Sequence, residues 1–328
     1  MQSIFLPDFW IRHRFVQSFL ASKHFGKAAE MQDQIKTVPG ILATSDAYLG
    51  YYLDIPENPK GLLILLHGWE GSSQSAYVLK TAKYFVQRGL SVARVNMRDH
   101  GGTAGLNEGP FNGSLFREVF QAIQMIAAKY SYLPSFLAGF SLGGNFVSRV
   151  AIAASNSTGT SIPNLRQVFA ISPSYSPQNA TAKIDTNPFL KRYFLRSWRD
   201  SLYQKYLNFP KLYQPGDFRS TRSVMELTEK LVLKYTKFAT LADYFAVYTI
   251  RPEDLQQLQI PLTVLSSRDD PIIRVEDLHP LQSLARLRVI LTNYGGHNGF
   301  LPALGDSKPY YIEVIEEGIR NTVSANFL

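Results

Sequence analysis

The sequence contains no cysteine among its 328 residues. Disulfide bonds, thiolate metal ligands and cysteine nucleophiles are therefore excluded, and the absence fits a reducing compartment. Long apolar runs are missing too, because no stretch approaches the roughly 20 apolar residues that a membrane span requires. Asp8, Arg12 and Arg14 interrupt the first apolar segment, so we expect no signal peptide. Together these absences predict a cytoplasmic protein.

Motifs that bind cofactors, metals or phosphate groups are also absent. Gly101-Gly102-Thr103 lacks the lysine and the spacing of a phosphate-binding loop. His100 has no cluster of further ligands around it in the sequence, so we interpret it as part of the loop structure and not as a metal ligand. The sequence thus predicts neither a cofactor nor a metal site.

Acidic residues are outnumbered, which leaves a formal net charge of +8. Most of the excess lies between Ser174 and Ile250, which hold twelve basic and six acidic residues. A solvated helical surface accounts for this segment, and the alternative is attraction of anionic substrates or of an acidic membrane surface. We expect no nucleic-acid partner and no stable membrane insertion, whereas peripheral membrane contact through the basic segment stays open. Nothing in the sequence indicates an oligomeric state.

Short apolar runs alternate with segments of helical periodicity. Six runs bounded by turn residues are predicted to be buried strands: Gly61–Leu66, Leu90–Asn96, Ser135–Gly139, Gln167–Ile171, Leu262–Ser266 and Leu287–Thr292. Helices are predicted over four segments: Ser75–Arg88, Leu115–Tyr130, Leu142–Ser155 and Lys308–Phe327. Buried strands separated by helices imply a mostly parallel sheet with helices on both faces. Asp46–Ile55, rich in tyrosine, is predicted to pair antiparallel at the edge of the sheet.

The alternation is interrupted once, from about Ser174 to Leu258. This segment is aromatic-rich and basic, and helices are predicted over Pro188–Phe209 and Val224–Phe245. We predict an insertion after the sixth strand that lies over the carboxyl edge of the sheet, where open α/β folds bind ligands. Residues 174–258 are called the cap below. The predicted organisation is one α/β domain over residues 1–328, with the cap inside it and a helical arm over residues 1–34.

A G-x-S-x-G elbow, Gly139-Phe140-Ser141-Leu142-Gly143, ends one of the predicted strands. A chain that turns so sharply from strand to helix holds its serine in a strained conformation. Gly139 and Gly143 remove the Cβ atoms that would clash in this turn. The Ser141 hydroxyl is therefore expected to stand at the carboxyl edge of the sheet. Because the pattern also occurs in turns without chemistry, a base and an acid are needed to support a nucleophile.

His297 is the candidate base, since it lies between glycines in the loop after the last predicted strand. Asp270 is the preferred acid, because it directly precedes a proline in the loop after the preceding strand. Asp269 is the alternative, and would otherwise be a turn residue or a helix cap. Chain order then runs Ser141, Asp270, His297, which is the order of nucleophile, acid and base in α/β-hydrolases.

An oxyanion that forms during acyl transfer needs two backbone N–H donors. Leu142 provides one by its position directly after the candidate nucleophile. The loop after Gly61–Leu66 begins His67-Gly68-Trp69, and the Trp69 N–H is the candidate for the second. We interpret His67 as a residue whose ring braces this loop, not as a catalytic group.

Together these motifs resemble the α/β-hydrolase superfamily. Phe5–Ser18 is similar to the N-terminal arm of its YheT-like branch, His67–Val78 to the oxyanion-loop region and Tyr235–Phe245 to the end of the cap. The resemblance covers nearly the whole chain and is weakest at Asp99–Gly102 and in the middle of the cap. It implies the α/β-hydrolase fold: a mostly parallel central sheet of about eight strands, flanked by helices, with a helical cap inserted after strand 6. It also implies cofactor-free hydrolysis of esters with short- to medium-chain acyl groups.

The sequence therefore predicts a serine esterase that acts on a small-molecule ester through an acyl-enzyme intermediate. Ser141 would attack the ester carbonyl, His297 would take and return the proton, and Asp270 would orient His297. The alternatives are an acyltransferase, thioesterase or lipase with the same triad, and a non-catalytic binding protein with the hydrolase fold. Dehalogenase and epoxide-hydrolase reactions are disfavoured, because those relatives carry an aspartate where Ser141 stands.

Overall fold

A computed structural model describes residues 5–22, 36–156, 161–281, 284–305 and 307–323. Its centre is one eight-stranded sheet, made of β1 (Lys36–Ala43), β2 (Tyr48–Ile55), β3 (Gly61–Leu66), β4 (Leu90–Val95), β5 (Ser135–Phe140), β6 (Leu165–Ile171), β7 (Leu262–Ser267) and β8 (Leu287–Thr292). The strand order is β1-β2-β4-β3-β5-β6-β7-β8. β2 is antiparallel to both of its neighbours, and every other pair is parallel. All six predicted buried strands are present, each within two residues of its predicted bounds.

The antiparallel strand that was predicted at the edge lies one position further in. β2 pairs with β4 on one side, as an antiparallel strand, and β1 covers its other side. β1 was not predicted, because Pro39 and Gly40 at its centre are typical of a turn. Proline is tolerated in an edge strand because its missing N–H costs no ladder bond there, and the ring of Tyr51 fills the space beside Gly40.

Helices cover both faces of the sheet. The flanking helices are α2 (Ala76–Val86), α3 (Phe116–Lys129), α4 (Leu142–Ser155) and α11 (Tyr310–Thr322). Alternate residues of β3 divide between two apolar clusters: Leu62 and Ile64 pack with α3 and α4, whereas Leu63 and Leu65 pack with α2 and α11. This burial on both faces explains why β3 is a continuous apolar run. Of the helix predicted over Lys308–Phe327, positions 324–327 lie outside the described residues.

The cap lies between β6 and β7 and is helical in the part of the chain that the structure describes. Its helices are α5 (Pro177–Thr186), α6 (Pro188–Asn208), α7 (Gly216–Arg219), α8 (Val224–Tyr235), α9 (Leu241–Tyr248) and α10 (Pro252–Leu255). The helix predicted over Val224–Phe245 is in fact two. The Thr240 hydroxyl accepts the backbone N–H of Asp243 and thereby starts α9 as a separate helix.

The N-terminal arm consists of a short 3₁₀ turn, Phe9–Ile11, followed by α1 (Arg14–Ala21). The rest of the predicted arm, residues 1–4 and 23–34, lies outside the described residues. Within the described ranges, no helix is both long and apolar enough to cross a bilayer. The predicted cytoplasmic location stays a prediction.

Candidate active site

Ser141 lies at the turn between β5 and α4, with the strained backbone angles φ 54° and ψ −115°. The elbow is so tight that a Cβ atom on Gly139 would lie 2.2 Å from the carbonyl oxygen of Gly143. A Cβ on Gly143 would lie 2.4 Å from the carbonyl oxygen of His67. Both contacts are with backbone, which cannot move aside as a side chain can. The two glycines are thus a steric requirement of this turn.

Ser141, His297 and Asp270 form a hydrogen-bonded line. His297 Nε2 lies 2.8 Å from Ser141 Oγ, and His297 Nδ1 lies 2.9 Å from Asp270 Oδ2. The Asp270 carboxylate is buried and also accepts the backbone N–H groups of Ile272 and Ile273. A carboxylate at Nδ1 holds the proton on that nitrogen, so Nε2 is free to accept the serine proton. Such an arrangement places a base within hydrogen-bond reach of the serine hydroxyl, which a nucleophilic serine requires.

The neighbouring aspartates have different partners. Asp269 Oδ1 accepts the backbone N–H of Gly296 at 2.9 Å and so holds the loop that carries His297, whereas only Asp270 reaches the imidazole. Asp269 is therefore not a helix cap. On the other side, Lys183 of α5 donates to the carbonyl oxygens of Asp270 and Ile273, which ties the acid loop to the cap.

The amides predicted to bind an oxyanion, those of Trp69 and Leu142, donate no hydrogen bond to any other described residue. The amides beside Trp69 are all engaged: Gly68 N–H donates to Tyr77 Oη (2.9 Å), Glu70 N–H to His100 Nε2 (3.2 Å) and Gly71 N–H to the Gly68 carbonyl (3.0 Å). Buried or half-buried amides rarely lack a partner. The two free donors next to Ser141 are therefore available to a bound ligand.

His67 and His100 form hydrogen bonds with the loop that carries Trp69. His67 Nε2 accepts the backbone N–H of Met97, so its Nδ1 carries the proton and donates to the carbonyl oxygen of Gly68 at 2.7 Å. His100 Nδ1 lies 2.7 Å from the carbonyl oxygen of Arg98. Burial lowers the pKa of both rings, and for His67 the proximity of His100 lowers it further. Both histidines are neutral structural groups, in agreement with the sequence interpretation.

A cavity of about 920 Å³ opens above Ser141 and His297. Its walls come from the arm, the loop after β3 and the cap. Many of the lining side chains are aromatic, including Phe19, Phe189, Tyr193, Phe194, Trp198 and Tyr244. Cavities of this size and apolar character are typical of small-molecule sites. In the part of the chain that the structure describes, no group of His, Asp and Glu side chains could hold a metal ion.

Glu70 is the one acidic residue among the described residues that line the cavity. Burial raises the pKa of its carboxyl group to about 7, although the Ser201 hydroxyl donates a hydrogen bond to it at 2.6 Å. A strongly shifted carboxyl in a cleft is a candidate functional group. No sequence motif singles out Glu70; its only local signal is an acid directly after the candidate oxyanion residue.

The arm supports the histidine loop. Ser18 Oγ accepts the backbone N–H of His297 at 2.8 Å. Gln17 is fully buried, donates to the carbonyl oxygens of Ile11 and Leu301, and accepts the N–H of Leu301. The contacts with His297 and Leu301 join positions that are 279 and 284 residues apart, so no local sequence pattern could indicate them.

A serine on a strand-to-helix elbow, hydrogen-bonded to a histidine and through it to an aspartate on the loops after the last two strands of a mostly parallel sheet, is the arrangement of the α/β-hydrolase class. Within that class, residues 57–289 match the family described as Hydrolase_4, serine aminopeptidase, S33. The match covers more than half of the chain, and the chain belongs to this family.

Curated relatives and solved structures agree with the fold. The chain is 22% identical to phospholipase ABHD3 of Homo sapiens over 270 residues, which are 80% of this chain and 63% of that protein. The Bos taurus protein matches equally, at 22% over 271 residues, with the same shares of each chain. The chain thus spans less than two thirds of the length of these relatives.

Two esterases have similar structures. Pyrococcus furiosus esterase Pf2001 is 14% identical, with a TM-score of 0.54 over 88% of this chain and 92% of that one. Brefeldin A esterase, described as a bacterial homologue of human hormone-sensitive lipase, is 15% identical, with a TM-score of 0.57 over 96% and 82%. At these identities the likeness establishes the shared fold.

Proposed function

We propose that the chain is a serine hydrolase of carboxylic esters, with Ser141 as nucleophile, His297 as general base and acid, and Asp270 as the residue that orients His297. The observation that supports it most is the hydrogen-bonded line from Ser141 Oγ through His297 to Asp270, at 2.8 Å and 2.9 Å. A non-catalytic binding protein would have no need of this line.

The reaction would proceed in two halves. Ser141 Oγ attacks the ester carbonyl carbon while its proton passes to His297 Nε2, and the resulting oxyanion accepts the N–H groups of Trp69 and Leu142. His297 returns the proton to the departing alcohol, which leaves an acyl-serine ester. Water, deprotonated by His297, then attacks this ester, and the carboxylic acid leaves as Ser141 regains its proton.

The substrate we propose is an ester with a short- to medium-chain acyl group. The aromatic walls of the 920 Å³ cavity suit an acyl chain, and the name of the curated relatives, phospholipase, adds glycerophospholipid esters as candidates. We also propose that the chain is one hydrolase domain of the YheT-like branch, in which the cap encloses the cavity and the arm supports it.

A second candidate is the aminopeptidase reaction that the family description names. Glu70 favours it, because a carboxylate in the cavity wall would pair with the free amino group of a peptide substrate. The esterase is the first choice because the other walls near Glu70 are mostly aromatic. Acyltransferase, thioesterase and lipase activities would use the same triad and differ in the acceptor or acyl donor.

Turnover of p-nitrophenyl esters from acetate to palmitate, and of aminoacyl p-nitroanilides, separates these candidates. We expect hydrolysis of the shorter esters, labelling by a fluorophosphonate probe, and loss of both in Ser141→Ala. Ser131→Ala is the matched control, since this exposed serine lies between α3 and β5 at the opposite edge of the sheet. Ester turnover at wild-type rate in Ser141→Ala would overturn the proposal, and preferential cleavage of the anilides would favour the aminopeptidase.

A further inference from the structure

The rim of the cavity is formed by aromatic side chains that also face outward. Phe19 of α1 is 58% exposed, and Phe189 and Tyr193 at the start of α6 are 84% and 57% exposed. All three line the cavity as well. Exposed aromatic residues that continue the lining of a pocket mark an interaction site more often than a bare solvent surface. Whatever covers this rim has direct access to the cavity.

Basic residues alternate with the aromatic ones along α6. Phe189, Arg192, Tyr193 and Arg196 are spaced by three or four residues, so they lie on one face of the helix. All four are exposed, and neither arginine forms an ion pair or hydrogen bond with another described residue. We call these four residues the docking face. Asp200 lies one turn after Arg196 on α6 and ends the row of basic residues on this face of the helix.

The arm borders the same opening. α1 contributes Phe15, Ser18 and Phe19 to the cavity wall. In the turn before α1, Phe9 is 71% and Trp10 82% exposed. Phe15 and Phe19 thus border the cavity on the arm, as Phe189 and Tyr193 do on the cap.

We infer that the docking face and the arm seat the chain on a lipid surface with anionic headgroups, so that the cavity opens toward that surface. The inference deepens the proposed esterase and rests on it, because the surface would supply the ester. Aromatic side chains enter the boundary between headgroups and acyl chains, and cationic side chains are attracted by the negative surface potential. The pattern of unpaired arginines and outward aromatics matches both interactions at once. An acyl chain could then pass from the lipid into the cavity along Phe19 and Phe189 without crossing water.

Co-sedimentation of the full chain with vesicles of phosphatidylcholine, with and without phosphatidylserine, tests this directly. We expect binding that needs the anionic lipid and weakens with salt. Arg192→Glu/Arg196→Glu should lower the partition coefficient at least about 30-fold, and Trp10→Ser about tenfold. The matched control is Lys129→Glu/Arg166→Glu, which changes the net charge equally but lies at the opposite edge of the sheet, and its binding should equal that of the wild type.

Docking and catalysis are measured separately. The two docking-face arginines do not line the cavity, so their double variant should hydrolyse a soluble ester at the wild-type rate, which also shows that it is folded. Ser141→Ala should bind vesicles like the wild type. If the wild type hydrolyses soluble esters but does not bind anionic vesicles, the docking inference is wrong and the proposed esterase activity stands. If it binds these vesicles but hydrolyses no ester, the esterase proposal is wrong and the vesicle docking stands. The inference is also overturned if the control double variant loses as much vesicle binding as the docking-face double variant. It is overturned as well if the chain forms a dimer that the docking-face variant abolishes, while vesicle binding is unaffected.

Discussion

The Ser201 hydroxyl of α6 donates a hydrogen bond of 2.6 Å to Glu70 Oε2, in the loop that carries the free Trp69 amide. The same junction contains the Trp69 indole, which stacks on Phe194 at 5.1 Å and meets the edge of Trp198 at 4.8 Å. The cap and the candidate oxyanion donor are therefore parts of one packed unit. The ionisation of Glu70 takes place inside that unit.

Glu70→Gln should remove a pH dependence of stability. Burial raises the pKa of Glu70 from 4.5 to about 7. Between these values the folded chain keeps the proton that the unfolded chain has released, so the free energy of unfolding falls as pH rises from about 4.5 to about 7. Urea unfolding at several pH values should show this slope in the wild type and a flatter one in Glu70→Gln. Glu57→Gln, at an exposed glutamate, is the control that should keep the wild-type slope.

Asp270→Asn should separate the two neighbouring aspartates. An asparagine at position 270 can present its NH₂ group to His297 Nδ1 and thereby favour the wrong tautomer, so we expect kcat for p-nitrophenyl butyrate to fall by about 10³–10⁴. Asp269→Asn keeps an oxygen for the Gly296 N–H and should cost less than about tenfold. Circular dichroism confirms that both variants are folded. The reverse ranking of the two variants would assign the acid to Asp269.

Gln17→Ala should show how strongly the arm holds the histidine loop. The substitution leaves the carbonyl oxygens of Ile11 and Leu301 and the Leu301 N–H without their partner in a buried site. Each orphaned group costs about 1–3 kcal/mol, so we expect the free energy of unfolding to fall by at least about 2 kcal/mol. Gln204→Ala, at an exposed position of α6, should change it by less than about 0.5 kcal/mol. Equal effects of the two substitutions would show that the arm does not stabilise the fold.

The sequence predicted what local chemistry determines. Strands β3 to β8 could be located because each is a short, mostly apolar run bounded by turn residues, and Ser141 because its turn demands glycine at fixed positions. β1 was not predicted because Pro39 and Gly40 are typical of a turn, although both residues are tolerated in an edge strand. The break between α8 and α9 was not predicted, because the periodicity is helical across it. The new helix begins there only because the Thr240 hydroxyl caps its first turn.

Contacts between distant segments were beyond the sequence. Ser18 accepts the backbone N–H of His297 and the buried Gln17 accepts that of Leu301, and nothing near these two residues in the sequence indicates such distant contacts. Glu70 is ordinary as a loop acid. Its raised pKa arises only once the folded chain buries the carboxyl group, and the hydrogen bond from Ser201 opposes that rise. The candidate nucleophile, base and acid were therefore predictable, whereas the residues that hold them and the acidic Glu70 in the cavity wall were not.

Gly139→Ala tests the elbow itself. A Cβ at this position would lie 2.2 Å from the carbonyl oxygen of Gly143 and 2.8 Å from a methyl group of Val147, so β5 and α4 would have to separate. Such overpacking costs about 1–3 kcal/mol of stability. Because Ser141 lies between the two elements, its Oγ would move away from His297 Nε2, and a misplacement of about 1 Å can cost about 10²-fold in rate. We therefore expect kcat to fall more than the folded fraction does.

Gly216→Ala is the matched substitution without a clash. A Cβ on Gly216, the first residue of α7, would meet nothing within 4 Å, and alanine favours a helix over glycine by up to about 1 kcal/mol. Its free energy of unfolding should be equal to or above that of the wild type, with unchanged kcat. Urea unfolding together with ester turnover measures both quantities on each variant. Wild-type kcat in a folded Gly139→Ala variant would mean that the turn has room for a side chain. The strained conformation of Ser141 would then not depend on glycine at position 139.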